Sequence, residues 1–402
     1  MRLLLIHQNF PGQFRQLAPF LHHRGHELVA ICSHQRPIDL PCRILRYREP
    51  DKPPAGLSFS AQLAAEALAR ADAVARLCQQ LKLEGWRPDR IAVHSGWGES
   101  LALQEVWPDV PQILWPELWV KPEHGGHGVD SQKPAPQLES YLDQLGRNTI
   151  TRAALSMAEA WVLPTLHQAN SLPAQFQTSQ LHVIHEGIDT QLACPNPAVA
   201  FQLQGGITIN RQTPVLTFVN RNLERLRGFD VFMRSLPRML RQHPELRVLI
   251  VGDSGIGYGG GDPAARPLRE RLLEELGEQL DLQRIHFLGR IPHPHLIALL
   301  QASWVHVYLS YPFVLGWSLL EAMACGCCIV GSEGMPVQEV IHHDQEGLLV
   351  PLDDPEALAQ RVLQLLADAS LRQRLGERAR QAALAWDQRL MLPRLAALLE
   401  AA

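Results

Sequence analysis

The chain has 402 residues, 46% of them apolar and 19% charged, with a formal charge of −4. That length suits two domains, and the charge balance excludes a nucleic-acid footprint or a polybasic membrane anchor carried by the whole chain. No apolar run approaches the roughly 18 residues that a spanning helix needs.

Met1-Arg2 followed by Leu3-Leu4-Leu5-Ile6 reads as a buried strand and not as a signal peptide, so a cytoplasmic chain is expected. Apolar strands are predicted at about 2–8, 27–33, 43–47, 90–95, 112–117, 160–165 and 181–185. Phe14, Leu17, Ala18 and Leu21 keep helical spacing; Gly25 closes that helix, and Pro19 kinks it or delays its start. Residues 60–82 form the clearest helix of this half, and 121–140, with Gly125, Gly126 and Gly128, a long loop. Periodicity disappears over 189–213, where Pro195, Pro197, Gly205 and Gly206 mark a linker. Alternation then restarts, with strands at about 215–220, 248–252, 285–289, 305–310, 328–332 and 347–350. Helices are predicted at about 229–241, 268–280, 295–303, 316–325 and 354–368, and 370–402 is helical with breaks near Trp386 and Pro393.

This alternation predicts an α/β protein of two doubly wound, Rossmann-like domains, with the ligand in the crevice between them at the carboxyl ends of the strands. The expected boundaries are 1–190 for the first domain, 191–213 for a linker, 214–379 for the second domain and 380–402 for terminal helices. The seven dispersed cysteines form no C-x-x-C pair and read as reduced thiols. Only four lysines occur, the last at Lys133, so cationic chemistry in the second half falls to arginine.

Two stretches of the second half carry chemistry. Gly316-Trp317-Ser318 precedes the helix that holds Glu321, and a glycine there lets an anion approach the first free N–H groups. Glu321, about one turn in, either accepts hydrogen bonds from hydroxyls beside a bound phosphate or only complements the helix dipole. Arg221, Arg225 and Arg227 follow the strand at 215–220. They either grip a diphosphate with bidentate forks or form a solvated cluster with Glu224 and Asp230. In the first half, Gly12, Gln13 and Arg15 form a loop whose amides either touch a phosphate or acceptor hydroxyl or merely turn the chain. Gly255-Ile256-Gly257-Tyr258-Gly259-Gly260 has dinucleotide spacing, but Asp262, Pro263 and Pro267 follow where a helix is required, so it reads as a loop. The histidine pairs, among them His293 and His295, lack the spacing of a zinc site, and no metal is expected.

Gly316-x-x-x-x-Glu321-Ala322-Met323-Ala324-Cys325-Gly326, then Glu333 to Ile341, then Glu346-Gly347-Leu348-Leu349-Val350, resembles the donor domain of family 4 retaining glycosyltransferases, which have the GT-B architecture. Gly12, Arg24 to Leu28, His185 to Asp189 and Phe287 to Ile291 extend the resemblance along the chain. Two departures stand out. The family's glutamate eight positions before Glu321 is Phe313 here, within a Pro312-Phe313-Val314-Leu315-Gly316-Trp317-Ser318 segment similar to that of a subgroup, and the family's lysine before the helix glycine is Arg227.

The resemblance implies a retaining hexosyltransferase that uses a UDP- or GDP-linked sugar, with no metal and no cofactor. The nucleotide sugar is the first partner, and a saccharide or lipid-linked saccharide acceptor the second. It further implies that Arg221 and Arg227 hold the diphosphate with the amides near Gly316, that Glu321 holds the ribose, and that Arg290 and Ile291 face the base. His94, at a strand end, and Glu117, at the next, are placed beside the sugar and acceptor with Gly12 and Gln13. Polysaccharide or glycoconjugate synthesis, peripheral contact with the inner membrane face, and a last helix that packs back on the first domain follow as expectations. A non-catalytic nucleotide-sugar-binding subunit and a nucleotide-sugar epimerase are the alternatives.

Overall fold

The computed structural model describes residues 1–54, 56–255, 257 and 266–401. It divides into two units: Met1–Pro122 with Pro136–Gly187 and Gln388–Ala402, and Glu123–Ala135 with Ile188–Asp387. Most of the glycine-rich stretch after Gly255 lies outside the described residues. Among those described, no helix is long and apolar enough to cross a membrane.

The first unit is built on seven parallel strands: β1 (Arg2–Ile6), β2 (Glu27–Cys32), β3 (Arg43–Arg46), β4 (Arg90–His94), β5 (Gln112–Trp115), β6 (Ala160–Leu163) and β7 (Leu181–Val183). Their order is β3-β2-β1-β4-β5-β6-β7, so the winding reverses between β1 and β4. Loops that leave the two strands flanking such a reversal splay apart and open a crevice at their carboxyl ends. Both faces are covered: Leu4 and Ile6 pack into one core cluster, Leu3 and Leu5 into the other. The helix Leu17–His23 starts late, with Pro19 in its first turn, where a missing N–H costs nothing.

The second unit opens with an antiparallel pair, β8 (Ala200–Gln202) and β9 (Thr208–Asn210). Residues 191–213 are therefore not a bare linker: Ala193, Val199, Leu203 and Ile209 are buried in the core of this unit. Six parallel strands follow: β10 (Val215–Asn222), β11 (Arg247–Asp253), β12 (Ile285–Gly289), β13 (Val305–Tyr308), β14 (Cys328–Ser332) and β15 (Gly347–Val350). Their order, β12-β11-β10-β13-β14-β15, reverses between β10 and β13.

Two boundaries differ from those read in the sequence. The helix Ala369–Ala383 stays in the second unit, with Ala379 and Ala383 buried there, and the chain leaves it only after Asp387. The helix Gln388–Glu400 runs through Pro393 without breaking and buries Met391, Leu395 and Leu399 in the first unit. Glu400 accepts from Arg24 Nε and Nη2, both at 2.7 Å. Residues 123–135, read as part of a first-domain loop, belong to the second unit because Asp130 lies 2.8 Å from Arg225 Nη2.

Candidate active site

In the first unit, the residues after β1 and β4 meet at the winding reversal. His94 ends β4, is 3% exposed, and its ring lies 4.6 Å from that of His7, the residue after β1. His7 Nδ1 accepts the N–H of Asn9 at 2.9 Å, which leaves Nε2 to donate to Gln13 Oε1 at 2.6 Å. Gly12 takes φ 46°, and a Cβ there would lie 2.2 Å from His7 Nε2. The Gly12 loop is thus shaped around an imidazole.

Burial pulls His94 down to about 4, and burial, then the neighbouring His94, pulls His7 down to about 3. Both rings are neutral at pH 7. His94 Nε2 stands 3.9 Å from Glu117 Oε2, too far for a strong bond, and a neutral imidazole makes no ion pair with it. Glu117 itself holds φ 62°, an uncommon conformation for a side-chain-bearing residue, and its carbonyl accepts from Gln168 Nε2 at 2.7 Å.

In the second unit the three arginines after β10 separate into three roles. Arg221 is exposed and has no hydrogen-bond or ion-pair partner among the described residues. Arg225 is fixed by carboxylates, reaching Asp130 with Nε and Nη2 and Asp230 at 3.3 Å. Arg227 points to the end of β13: its Nη1 donates to Ser310 Oγ at 2.8 Å and to the Val314 carbonyl at 3.0 Å, with Tyr308 Oη at 3.3 Å. Gly228 follows at φ 64°, where a Cβ would sit 2.4 Å from Leu309 Cβ, so the backbone passes close to β13 only because this residue is glycine.

Gly316 caps the helix Trp317–Ala324, and its N–H donates to Tyr308 Oη at 2.7 Å. One phenol therefore joins the arginine and the helix start, and the Gly316 N–H, read as open to an anion, is already satisfied. Trp317 and Ser318 are half-buried in the first turn. Phe313 is buried, and the Arg227 guanidinium lies over its ring at 5.6 Å. Where the resemblance calls for a carboxylate, an aromatic face meets the cation instead.

Glu321 is 8% exposed and bonds to His293 Nε2 at 2.6 Å. His293 begins the helix His293–Ala302, straight after the loop that carries Arg290 and Ile291. Arg290 Nε pairs with Asp253 Oδ2 at 3.2 Å, joining the ends of β12 and β11, and Ile291 packs partly into the core. His293, Tyr308, Ser310 and His7 were not singled out as site residues in the sequence. Among the described residues, no group of three or more His, Cys, Asp and Glu is arranged to hold a metal ion.

Residues 24–193 match the model of the glycosyl transferase family 4 group, and residues 202–382 that of glycosyl transferases group 1. The chain is 27% identical over 270 residues to a D-inositol 3-phosphate glycosyltransferase of Corynebacterium jeikeium, covering 66% of this chain and 62% of that protein. It is 31% identical over 208 residues to the one of Corynebacterium urealyticum, covering 50% and 47%. It thus spans less than two thirds of the length of either relative. The fold is similar to that of sucrose-phosphate synthase from Thermosynechococcus elongatus, at TM-score 0.73 and 20% identity over 99% of this chain and 98% of that one. It is also similar to that of Anabaena Alr3699/HepE in complex with UDP, at TM-score 0.70 and 16% identity with both chains fully covered. Between them the two glycosyl transferase models match most of the chain, a family 4 group segment ahead of a group 1 segment, on a GT-B fold of two Rossmann-like domains.

Proposed function

We propose that the protein is a retaining glycosyltransferase that moves a hexose-type sugar from a nucleoside-diphosphate sugar to a hydroxyl acceptor in polysaccharide or glycoconjugate synthesis. The observation that carries this reading is the convergence of Arg227, Tyr308 and Gly316 at the carboxyl ends of β10 and β13, at the start of the helix that carries Glu321 and within the segment that matches group 1. UDP in the complex of Anabaena HepE, and the sugar-transfer names of the other relatives, support a nucleotide sugar as donor.

Breaking a sugar–phosphate bond develops negative charge on the departing diphosphate. Fixed cations and dipoles aimed there lower the barrier without reorganising during the reaction. On this reading Arg227, held by three oxygen atoms before any ligand arrives, supplies the fixed charge, and exposed Arg221 closes on the same group. The N-terminus of the helix Trp317–Ala324 adds its dipole, so arginine and backbone N–H groups do the work that a divalent cation does in other transferases.

Glu321 exchanges its bond to His293 for the ribose hydroxyls, and the Arg290–Ile291 loop borders the base. Neutral His94 accepts from or donates to a sugar hydroxyl, with Glu117 and the Gly12–Gln13 loop on the acceptor side. The acceptor oxygen bonds to the anomeric carbon on the face from which the phosphate departs, and that phosphate takes the acceptor proton, so the configuration of the donor bond is retained. An acceptor that is a free or lipid-linked saccharide fits this reading, as does action in the cytoplasm or at its membrane face.

Thermal unfolding with UDP, GDP and ADP, on wild type and Arg227→Ala, tests it. A nucleotide at about 100 times its Kd should add roughly 2.7 kcal/mol. A stabilisation by one nucleotide, lost in Arg227→Ala and followed by turnover of its sugar conjugates, is the expected result. No stabilisation by any of the three would overturn the donor assignment, and tight binding with no sugar released or transferred would favour a non-catalytic binding subunit.

A further inference from the structure

Arg211, Arg372 and Arg380 of the second unit line one cavity of about 560 Å3. Ser303 and Trp304, which lead into β13, and Cys325 and Gly326, which lead into β14, line it too. Because these strands are parallel, the cavity lies at the amino edge of the sheet, opposite the edge where Arg227 and Gly316 sit.

Each guanidinium is held by carbonyl oxygens. Arg211 Nη1 donates to the Gln301 carbonyl at 2.8 Å and Arg372 Nη1 to that of Leu366 at 2.9 Å. Arg380 donates to the carbonyls of Ala193, Ala324 and Thr190 at 2.9–3.0 Å. Among the described residues, none of the three makes an ion pair, and Glu377 is the one carboxylate in the lining. The arrangement is also rigid. The Arg372 guanidinium lies 4.1 Å from the Trp304 ring centre, and Trp304 Nε1 donates to the Arg211 carbonyl at 2.7 Å.

We propose that this cavity binds a phosphate group, free in solution or at the head of a larger molecule, at a site separate from the donor residues. Three guanidiniums against one carboxylate leave a net positive lining, and their forks match phosphate oxygens. Burial pulls Arg372 below its ordinary value, an effect that Cys328 and Asp368 only partly offset. The carbonyl bonds fix the side chains beforehand, so a ligand does not have to order them, while Nε and Nη2 of Arg211 and Arg372 stay available. The volume suits a small phosphate monoester. Nothing here depends on the donor reading.

The test is thermal unfolding of the full chain in inorganic phosphate against chloride at matched ionic strength. Phosphate-specific stabilisation should persist in Arg227→Ala and weaken about tenfold or more in apparent affinity in the double variant Arg211→Gln, Arg372→Gln. Should that variant not fold, Glu377→Gln carries the test: this exposed residue opposes the anion, so its neutralisation should tighten phosphate binding roughly two- to fivefold. Flotation with phosphatidylglycerol-containing vesicles, against phosphatidylcholine alone, separates a lipid headgroup from a soluble phosphate. Flotation lost in the arginine variant assigns a headgroup, and phosphate stabilisation without flotation assigns a soluble ligand. Absence of both, or a phosphate effect that vanishes in Arg227→Ala and ignores Glu377→Gln, overturns the proposal.

Discussion

His7 and His94 stack at the ends of adjacent parallel strands, with ring centres 4.6 Å apart and planes 33° from parallel. The bonds of His7 to Asn9 and Gln13 fix its tautomer, with the proton on Nε2. A second charge beside a first in this buried pair is disfavoured twice, by desolvation and by repulsion. The pair is therefore a neutral platform at the winding reversal of the first unit, suited to hydrogen bonding and not to carrying charge.

This neutrality makes stability depend on pH. His7, His94, His185 and His306 are all buried, with values lowered from 6.5 to about 3, about 4, about 3 and about 3. Unfolding lets them take up protons, so their contribution is complete above pH 6.5 and is lost as pH falls toward 4 and 3. Buried Glu99 opposes them. Its value rises from 4.5 to about 7, so its contribution is full below 4.5 and is lost as pH rises through 7. Four groups against one leave stability rising with pH between 4.5 and 6.5, each shifted group adding up to about 1.4 kcal/mol per pH unit. Urea midpoints at pH 5.0, 5.5, 6.0 and 7.0 should climb. A flat profile would mean that these imidazoles are protonated in place.

Glycine at position 12 should be far less replaceable than glycine at 25. Both have positive φ, 46° and 86°, but a Cβ at 25 meets nothing within 4 Å. Gly25→Ala should cost the backbone strain alone, about 1 kcal/mol. Gly12→Ala adds a collision with the His7 ring and should cost about 2–4 kcal/mol. It should also displace His7 from Gln13, which a histidine 15N spectrum reads as a tautomer change. Equal losses for the two variants would contradict the packing of His7 against the loop.

Both sheets were legible in the sequence, because parallel strands covered on two faces read as unbroken apolar runs such as Leu3–Ile6 and Val248–Val251. The helix Leu138–Ser156 was not: Leu138, Tyr141, Leu142 and Leu145 are about half-exposed or more, so its apolar residues do not mark a buried stripe. The pair β8–β9 was missed because three-residue strands are too short for alternation to register. Among site residues, Gly316, Glu321 and the arginine run were found because glycine, helix start and charge lie together in the chain. Partners brought in by the fold were not: His293 lies 28 positions from Glu321 and Asp130 lies 95 from Arg225. The distinct surroundings of Arg221, Arg225 and Arg227 have no local signature at all.

Those three arginines should separate by experiment. Arg225→Ala leaves Asp130, 5% exposed, without its cation and should cost about 2–4 kcal/mol, reduced from a fully buried pair because Arg225 is 29% exposed. Arg221→Ala touches no partner among the described residues and should change stability by less than about 0.5 kcal/mol. Arg227→Ala should abolish nucleotide stabilisation and, by losing its bonds to Ser310 and Val314 and its contact with Phe313, cost about 1–3 kcal/mol while still folding. If Arg225→Ala were to lose nucleotide binding while keeping full stability, the structural role of the Asp130 pair would be wrong.

Glu321 and His293 hold each other at 2.6 Å, and on the proposed reading Glu321 leaves that bond for ribose hydroxyls. Glu321→Ala should then weaken nucleotide binding roughly 10- to 100-fold, the worth of hydrogen bonds to a charged group. His293→Ala releases the carboxylate without removing it, so binding should fall much less. Titration calorimetry with the nucleotide that stabilises the wild type checks both. Similar losses in the two variants would show that the pair, and not Glu321 alone, forms the contact.

Phe313 gives the sharpest test of how the cationic site is balanced. Its ring is buried and faces the Arg227 guanidinium at 5.6 Å, an attraction worth about 0.5–2 kcal/mol that leaves the cation's charge intact. A carboxylate there would do the opposite, drawing Arg227 into an ion pair and offsetting the charge offered to a diphosphate. Phe313→Glu should therefore bind nucleotide at least about tenfold more weakly, by the loss of one charge-assisted contact. Phe313→Leu should keep most binding and lose stability, because it fills less of a packed site. Nucleotide-dependent melting of both variants, with urea unfolding alongside, makes the comparison. Wild-type affinity in Phe313→Glu would show that the charge of Arg227 is not what holds the diphosphate.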